Sequence, residues 1–210
     1  FNDASIVNIQ AAQDYEPKYM GLGSEVNTYL SENQNDKDNF ASLVEETYDA
    51  VKEVSPNTII TSTFQYEQLN GKADGQSQWD ILELIESKLD MVAITTYPSL
   101  WYDSPSEIPS DYYTQVRDHS DKPLIIAESG WPTGGRNSYH GSEENLNSFL
   151  NRVVELNEGN NLKLLIYWFV HDWDGEEYGD YFKSMGLKES DGTPKSAWNT
   201  WKEINDLPIR

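Results

Sequence analysis

Cysteine is absent from the 210 residues, so no disulfide framework and no thiolate-ligated metal site exists. Basic residues are scarce: 15 Lys and Arg stand against 36 Asp and Glu, a formal charge of −21. A surface of that sign repels nucleic acid and anionic lipid, which excludes a phosphate-backbone partner. No apolar run reaches the length of a membrane span, and no signal peptide is visible ahead of a chain that starts at Phe1. No glycine-rich phosphate loop follows any candidate strand, so a nucleotide cofactor is not expected. His119, His140 and His171 stand apart without ligand spacing, and no metal is expected. What is present is 37% hydrophobic and 12% aromatic residues, enough for one well-packed domain over 1–210.

Elements alternate along the chain. Ile6, Ile9 and Ala12 mark one face of a helix over 3–15, ended before Pro17. Residues 18–23 read as a short strand. Phe40, Leu43, Val44, Tyr48 and Val51 recur at helical spacing over 37–54, and 58–64 is β-branched and strand-like. Ser77-Gln78-Trp79-Asp80 fits a capping box before a helix with Leu82, Ile85 and Leu89. Residues 89–96 form the next strand, and Ser110 caps a helix carrying Tyr113 and Val116. A strand through Leu124-Ile125-Ile126-Ala127 follows. Ser142 opens a helix with Leu146, Phe149, Leu150, Val153 and Val154 on one stripe. Residues 162–170 form the most apolar strand, and 194–204 a last helix with Trp198 and Trp201 inward.

One helix, then five strands each followed by a helix, calls for an α/β fold with a parallel sheet. Doubly wound sheets and closed barrels both fit. Polar and aromatic residues at nearly every strand end, with no phosphate loop, favour the (β/α)8 TIM barrel, which needs ~250 residues. The expected architecture is a partial barrel, strands four to eight. Its N-terminal units would come from an upstream segment or a second chain covering the open edges.

Two carboxylates close strands three β-α units apart: Glu25 after residues 18–23, and Glu128 after the apolar run 124–127. In a closed barrel they would face each other across its mouth. Glu128 shares strand parity with Leu124 and Ile126, Tyr97 with Ala93 and Thr95, and Glu25 with Gly21 and Gly23. A strand buried on both faces has no structural use for an acid at its tip. Paired carboxyls around one bond are the arrangement of glycoside hydrolysis, close spacing giving retention and wider spacing inversion.

The string Ala127-Glu128-Ser129-Gly130-Trp131-Pro132-Thr133 resembles the nucleophile motif of the β-1,3-glucanase-like families, within clan A of the retaining (β/α)8 glycoside hydrolases. Leu22-Gly23-Ser24-Glu25-Val26-Asn27 is similar to the clan's acid/base motif, with Ser24 where Asn usually binds the sugar 2-hydroxyl. The resemblance implies Glu128 as nucleophile and Glu25 as acid/base. It implies substrate contacts by Ser24, with Asn27 as a compensating donor, by Tyr97 as the tyrosine that restrains the nucleophile, and by Trp168 as subsite floor. Trp131 is a further candidate for stacking on sugar, as are Trp101 and Tyr66. The acidic run Asp172, Asp174, Glu176, Glu177 and Asp180 reads as a solvated loop facing substrate rather than a calcium loop.

The implied activity is retaining, endo-type cleavage of a β-linked oligo- or polysaccharide, with glucan ahead of mannan and galactan and no cofactor. The alternatives are a catalytically inactive barrel that binds carbohydrate, or a fragment that needs its N-terminal part. The expected place is extracellular or at the cell surface.

Overall fold

The computed structural model describes residues 3–134, 141–175 and 179–207. The elements, in order, are α1 (Asp3–Tyr15), β1 (Tyr19–Gly21), α2 (Val26–Glu32), α3 (Lys37–Val54), β2 (Ile59–Thr61), β3 (Thr63–Gln65), α4 (Tyr66–Leu69) and α5 (Trp79–Ile85). They continue with β4 (Val92–Thr96), α6 (Val116–His119), β5 (Leu124–Ser129), α7 (Glu143–Leu156), β6 (Leu162–Leu165), α8 (Gly179–Phe182) and α9 (Ala197–Asn205). The described strands make one sheet in the order β1-β2 and another in the order β3-β4-β5-β6. β1 pairs with β2 and β3 with β4 in parallel, Met20 opposite Ile60 and Phe64 opposite Ile94. Within each sheet the strands are consecutive in the order, and helix makes each return between neighbours. The chain forms two compact units, Phe1–Thr95 with Val116–Ile125, and Thr96–Gln115 with Ile126–Arg210.

In the first unit, α1 packs on α3, and Ala12, Val51 and Ile60 make a buried cluster with Ile9, Met20, Leu22 and Tyr48 against it. Ile6, expected on the buried face of α1, is 56% exposed, and Ser5 is buried instead, its hydroxyl bonded to Thr47 at 2.9 Å. The strand expected over 58–64 is divided at Ser62. The part before it pairs with β1, while the part after it pairs with β4. A backbone that serves one neighbour and then another must shift its ladder between them. The capping box at Ser77 does not form: Gln78 is the N-cap of α5 and has no side-chain capping bond. Its amide oxygen instead accepts from Asn27 Nδ2 at 2.7 Å.

In the second unit, Ser142 caps α7 as expected, its hydroxyl accepting from Asn145 N at 3.0 Å. The buried stripe is Leu146, Phe149, Leu150, Val153 and Leu156. Burying a side chain of this kind contributes ~1.5–3 kcal/mol. The helix expected after Ser110 is shorter; residues 110–115 are turns and only 116–119 are helical. Within β4 all five residues are buried and in β5 four of six, whereas β6 is half-exposed throughout. The most apolar strand of the sequence is thus one of the less buried, because β6 ends the strand order and has a described neighbour on one side only.

Candidate active site

Glu25 lies between β1 and α2, as the N-cap of α2. Its backbone is left-handed, φ 46° and ψ 47°, a conformation that costs a non-glycine residue of order 1–3 kcal/mol. Two threonines hold it there. Thr63 Oγ1 accepts from Glu25 N at 2.8 Å, and Thr95 Oγ1 donates to Glu25 Oε1 at 2.6 Å. Thr95 is fully buried on β4, so its hydroxyl is pre-placed for that carboxylate. Sequence reading missed both threonines, although Thr95 shares the parity of Tyr97 and was marked by it.

Ser24 is exposed beside Glu25. Asn27 does not stand ready for substrate. It is fully buried; its Oδ1 accepts from Gln65 N at 2.8 Å, and its Nδ2 donates to Gln65 O at 3.0 Å and to Gln78. The amide completes the backbone pairing of Gln65 where β3 ends, a structural task that uses both of its polar atoms. Tyr66, a stacking candidate, is likewise fully buried and packs edge-on against Trp79.

Glu128 is half-buried near the carboxyl end of β5. Tyr97, buried just beyond β4, donates its hydroxyl to Glu128 Oε2 at 3.1 Å. Next to it, Ser129 Oγ donates to Thr96 O at 2.9 Å, which locks the strand ends together. The Tyr97 ring belongs to a buried cluster with Tyr181 and Met185, against which Phe169 and Phe182 pack. Gly130 does not have a positive φ; a Cβ there would lie 2.9 Å from Met185 Sδ, so a larger residue would displace that buried side chain.

Trp131, expected to stack on sugar, does not reach the surface. It is fully buried, its ring tilted against Phe149 of α7 with centroids 5.3 Å apart, so it is a core anchor and cannot stack on a sugar. Trp168 is 36% exposed beyond β6, its ring edge-on to Phe169 at 5.1 Å, and Trp101 is half-buried after β4. Both keep surface for a flat ligand.

The acidic run does not behave as one solvated loop. Asp172 is ion-paired with the buried Lys195 at 2.7 Å and accepts from Gly186 N at 2.8 Å. Asp174 is exposed, while Glu176, Glu177 and the side chain of Asp180 lie outside the described residues, as does His140. Lys195 Nζ also donates to Thr133 Oγ1 at 2.8 Å, tying this segment to the one after Glu128. Tyr167 adds a second tie: Trp131 N donates to its hydroxyl at 3.3 Å, and that hydroxyl donates to Met185 O at 2.7 Å. Burial holds the Tyr167 phenol well above its ordinary pKa, so it stays a neutral donor. Among the described residues no group of three or more His, Asp or Glu could hold a metal ion, and no helix is long and apolar enough to cross a membrane.

Parallel β-α units with acids at their strand ends define a class of fold that comparison with solved structures makes specific. The chain superposes on the β-glucuronidase of an uncultured Clostridium sp. with TM-score 0.66 at 15% identity, covering 97% of this chain and 35% of that one. The β-glucuronidase of Lactobacillus rhamnosus gives 0.66 at 18% identity, covering 98% and 35%. An active-site mutant of the Rhizomucor miehei β-1,3-glucanosyltransferase, solved with laminaritriose, gives 0.65 at 24%, covering 91% and 67%. The fold is that of part of a TIM-barrel glycosidase. The chain spans about a third of the length of those glucuronidases. The sequence model of glycosyl hydrolase family 53 matches residues 1–169, and the chain belongs to that family, a member of clan A. No curated protein sequence matches it.

Proposed function

We propose that this chain carries the catalytic carboxylates of a retaining, endo-acting β-glycosidase whose substrate is a β-linked polysaccharide. The observation that carries the reading is the Tyr97 hydroxyl donating to Glu128 at the end of a buried strand, in a member of glycosyl hydrolase family 53. A strand-end carboxylate oriented by a tyrosine hydroxyl suits a nucleophile.

Glu128 attacks the anomeric carbon and forms a glycosyl ester, while Glu25 gives its proton to the departing glycosidic oxygen. Water then attacks the ester as Glu25 takes a proton back, and the sugar leaves with its configuration retained. Thr95 suits both states of Glu25, because a hydroxyl donates to the carboxylate and accepts from the acid. Tyr97 fixes the plane of the Glu128 carboxylate, Trp168 offers an apolar face to the sugar, and Ser24 a short hydroxyl toward its 2-position. Glucan remains the first candidate because of the motif around Glu128. Mannan and galactan stand beside it in the test. An extracellular or cell-surface site fits a polymeric substrate.

The test is intact-mass and peptide mapping after treatment with 2-deoxy-2-fluoro glycosides of the glucosyl, mannosyl and galactosyl series. One adduct, on Glu128, is expected from one of them. Hydrolysis that gives inverted product by NMR, or binding of all three glycans without cleavage, sinks the proposal.

A further inference from the structure

The residues around Glu128 include an aromatic pair that the reaction itself does not use. Tyr181 and Phe182, from α8, both meet the ring of Tyr97 edge-on, with centroids 6.5 and 5.4 Å away at interplanar angles of 73° and 87°. Each also meets the other edge-on at 4.9 Å. Three rings in mutual edge contact leave the Tyr97 ring little freedom, because edge-to-face packing is a favoured arrangement that rotation would lose. Tyr181 has a second hold on the same segment: its hydroxyl bonds Ser99 Oγ at 2.5 Å, two residues beyond Tyr97.

This pair is fastened to the segment that follows the nucleophile. Thr133 donates twice to Ser184 O, from its backbone N and from Oγ1, both at 2.9 Å, and Gly134 N donates to Ser184 Oγ at 2.8 Å. Met185 fills the space over Gly130. Lys195 reaches Thr133, Ser184 and Asp172 from behind. Residues 181–185 therefore grip Tyr97 on one side and residues 130–134 on the other, with Glu128 bonded to the first and two positions before the second.

We propose that Tyr181 and Phe182 are positioning residues for the nucleophile: they fix the Tyr97 ring, and through its hydroxyl the carboxylate plane of Glu128. The inference deepens the reading of Glu128 as nucleophile and rests on it for its catalytic meaning. The effect of Tyr181 and Phe182 passes through Tyr97. Misplacing a reacting group by about 1 Å costs up to roughly 10²-fold in rate. A loss of that kind falls on kcat and leaves KM nearly unchanged, because ground-state binding of the sugar is not what the pair supplies.

The experiment compares the full chain with Phe182→Ala, with the bulk-retaining Phe182→Leu and with Tyr181→Phe. Two readouts are taken: the crystallographic Tyr97 Oη to Glu128 Oε2 separation, and the rate of adduct formation on Glu128 with the reactive fluoroglycoside. In Phe182→Ala the hydroxyl moves out of hydrogen-bond range of Glu128, and adduct formation slows by about tenfold or more. Phe182→Leu and Tyr181→Phe, which refill most of the volume, stay within about threefold of the parent rate. If Phe182→Ala keeps the 3.1 Å contact, the proposal is overturned whatever the rates are. If the parent chain forms no adduct while the contact still breaks in Phe182→Ala, the positioning stands and the nucleophile assignment fails.

Discussion

Replacing Asp90 by Asn tests how the first unit is closed. Asp90 lies just before β4 and completes the pairing of β2 with its own atoms. Its backbone N donates to Ile60 O at 2.8 Å, and its Oδ2 accepts from Ile60 N at 2.7 Å. The same oxygen takes Lys52 Nζ at 2.6 Å, and Oδ1 takes the Tyr48 hydroxyl at 3.1 Å. Hydrogen bonds to a charged partner contribute ~1.5–3 kcal/mol each, less where solvent screens the pair. The Asp90 side chain is 27% exposed and Lys52 23%, so the lysine carries the smaller share. An Asn keeps the shape and one acceptor but brings a donor that must face another donor. The expected loss at pH 7 is about 2–4 kcal/mol, read as a drop in the urea midpoint followed by tryptophan fluorescence. The pH dependence of this loss has a definite sign. Burial alone would raise the Asp90 pKa, but the Ile60 N–H, Lys52 and Tyr48 outweigh it and hold it below the ordinary value. A lowered folded pKa stabilises fully above the unfolded value, ~3.9, and the stabilisation disappears as pH falls through the folded one. The gap between parent and Asp90→Asn should therefore be flat from pH 7 to about 5 and close at lower pH. The global effect of the acidic surface is common to both chains and cancels. A gap that stays constant down to pH 2.5, or one below ~1 kcal/mol at pH 7, refutes the account.

Lys195→Met removes the cation from a pair whose lysine side chain is 1% exposed, leaving Asp172 with a buried charge. The expected cost is ~3–5 kcal/mol by urea unfolding, and adding Asp172→Leu should recover only part of it, because the Gly186 N–H then loses its acceptor. Asn27→Leu strands the N–H and C=O of Gln65 in a buried position, for about 2–4 kcal/mol by the same measurement. Ser142→Ala deletes the cap of α7 and should lower stability by ~1 kcal/mol, while Ser142→Asp stays near the parent because Asp caps equally well.

Long periodic segments were readable because one face of each meets one surface. The stripe of α7 and the apolar run of β5 follow from spacing alone, as does the acid at the end of that run. The misreadings share a different physics. Ile6 obeys the helical period, yet what α1 packs against decides whether that position is covered. Ser77 has the spacing of a capping box, but Gln78 is drawn to Asn27, 51 residues away in the chain. Trp131 stands three residues after Glu128, and its ring is turned against Phe149 on the next helix. The hydrogen bond from Thr95 to Glu25 and the grip of Phe182 on Tyr97 link residues 70 and 85 positions apart, which no local pattern encodes. Local periodicity located the acids; long-range contacts determine how they are held.

Glu25 and Glu128 differ in one respect that can be measured without substrate. Glu128 sits in regular strand, whereas Glu25 occupies φ 46°, where a Cβ crowds the carbonyl oxygen. Removing the carboxylate costs the Thr95 bond whichever small residue replaces it, so Glu25→Gly and Glu25→Ala share that loss. They part on backbone strain. At an ordinary helical position Gly is worse than Ala by ~0.5–1 kcal/mol, and at a left-handed one the order reverses by about 1–2 kcal/mol. Glu25→Gly should thus be the more stable of the two by roughly 1 kcal/mol in urea unfolding, and both should be inactive on any glycan that the parent cleaves. If Ala proves the more stable, the left-handed backbone at Glu25 carries no strain. If Gly proves the more stable, the left-handed backbone at Glu25 carries strain that the Thr95 bond to its carboxylate helps to offset.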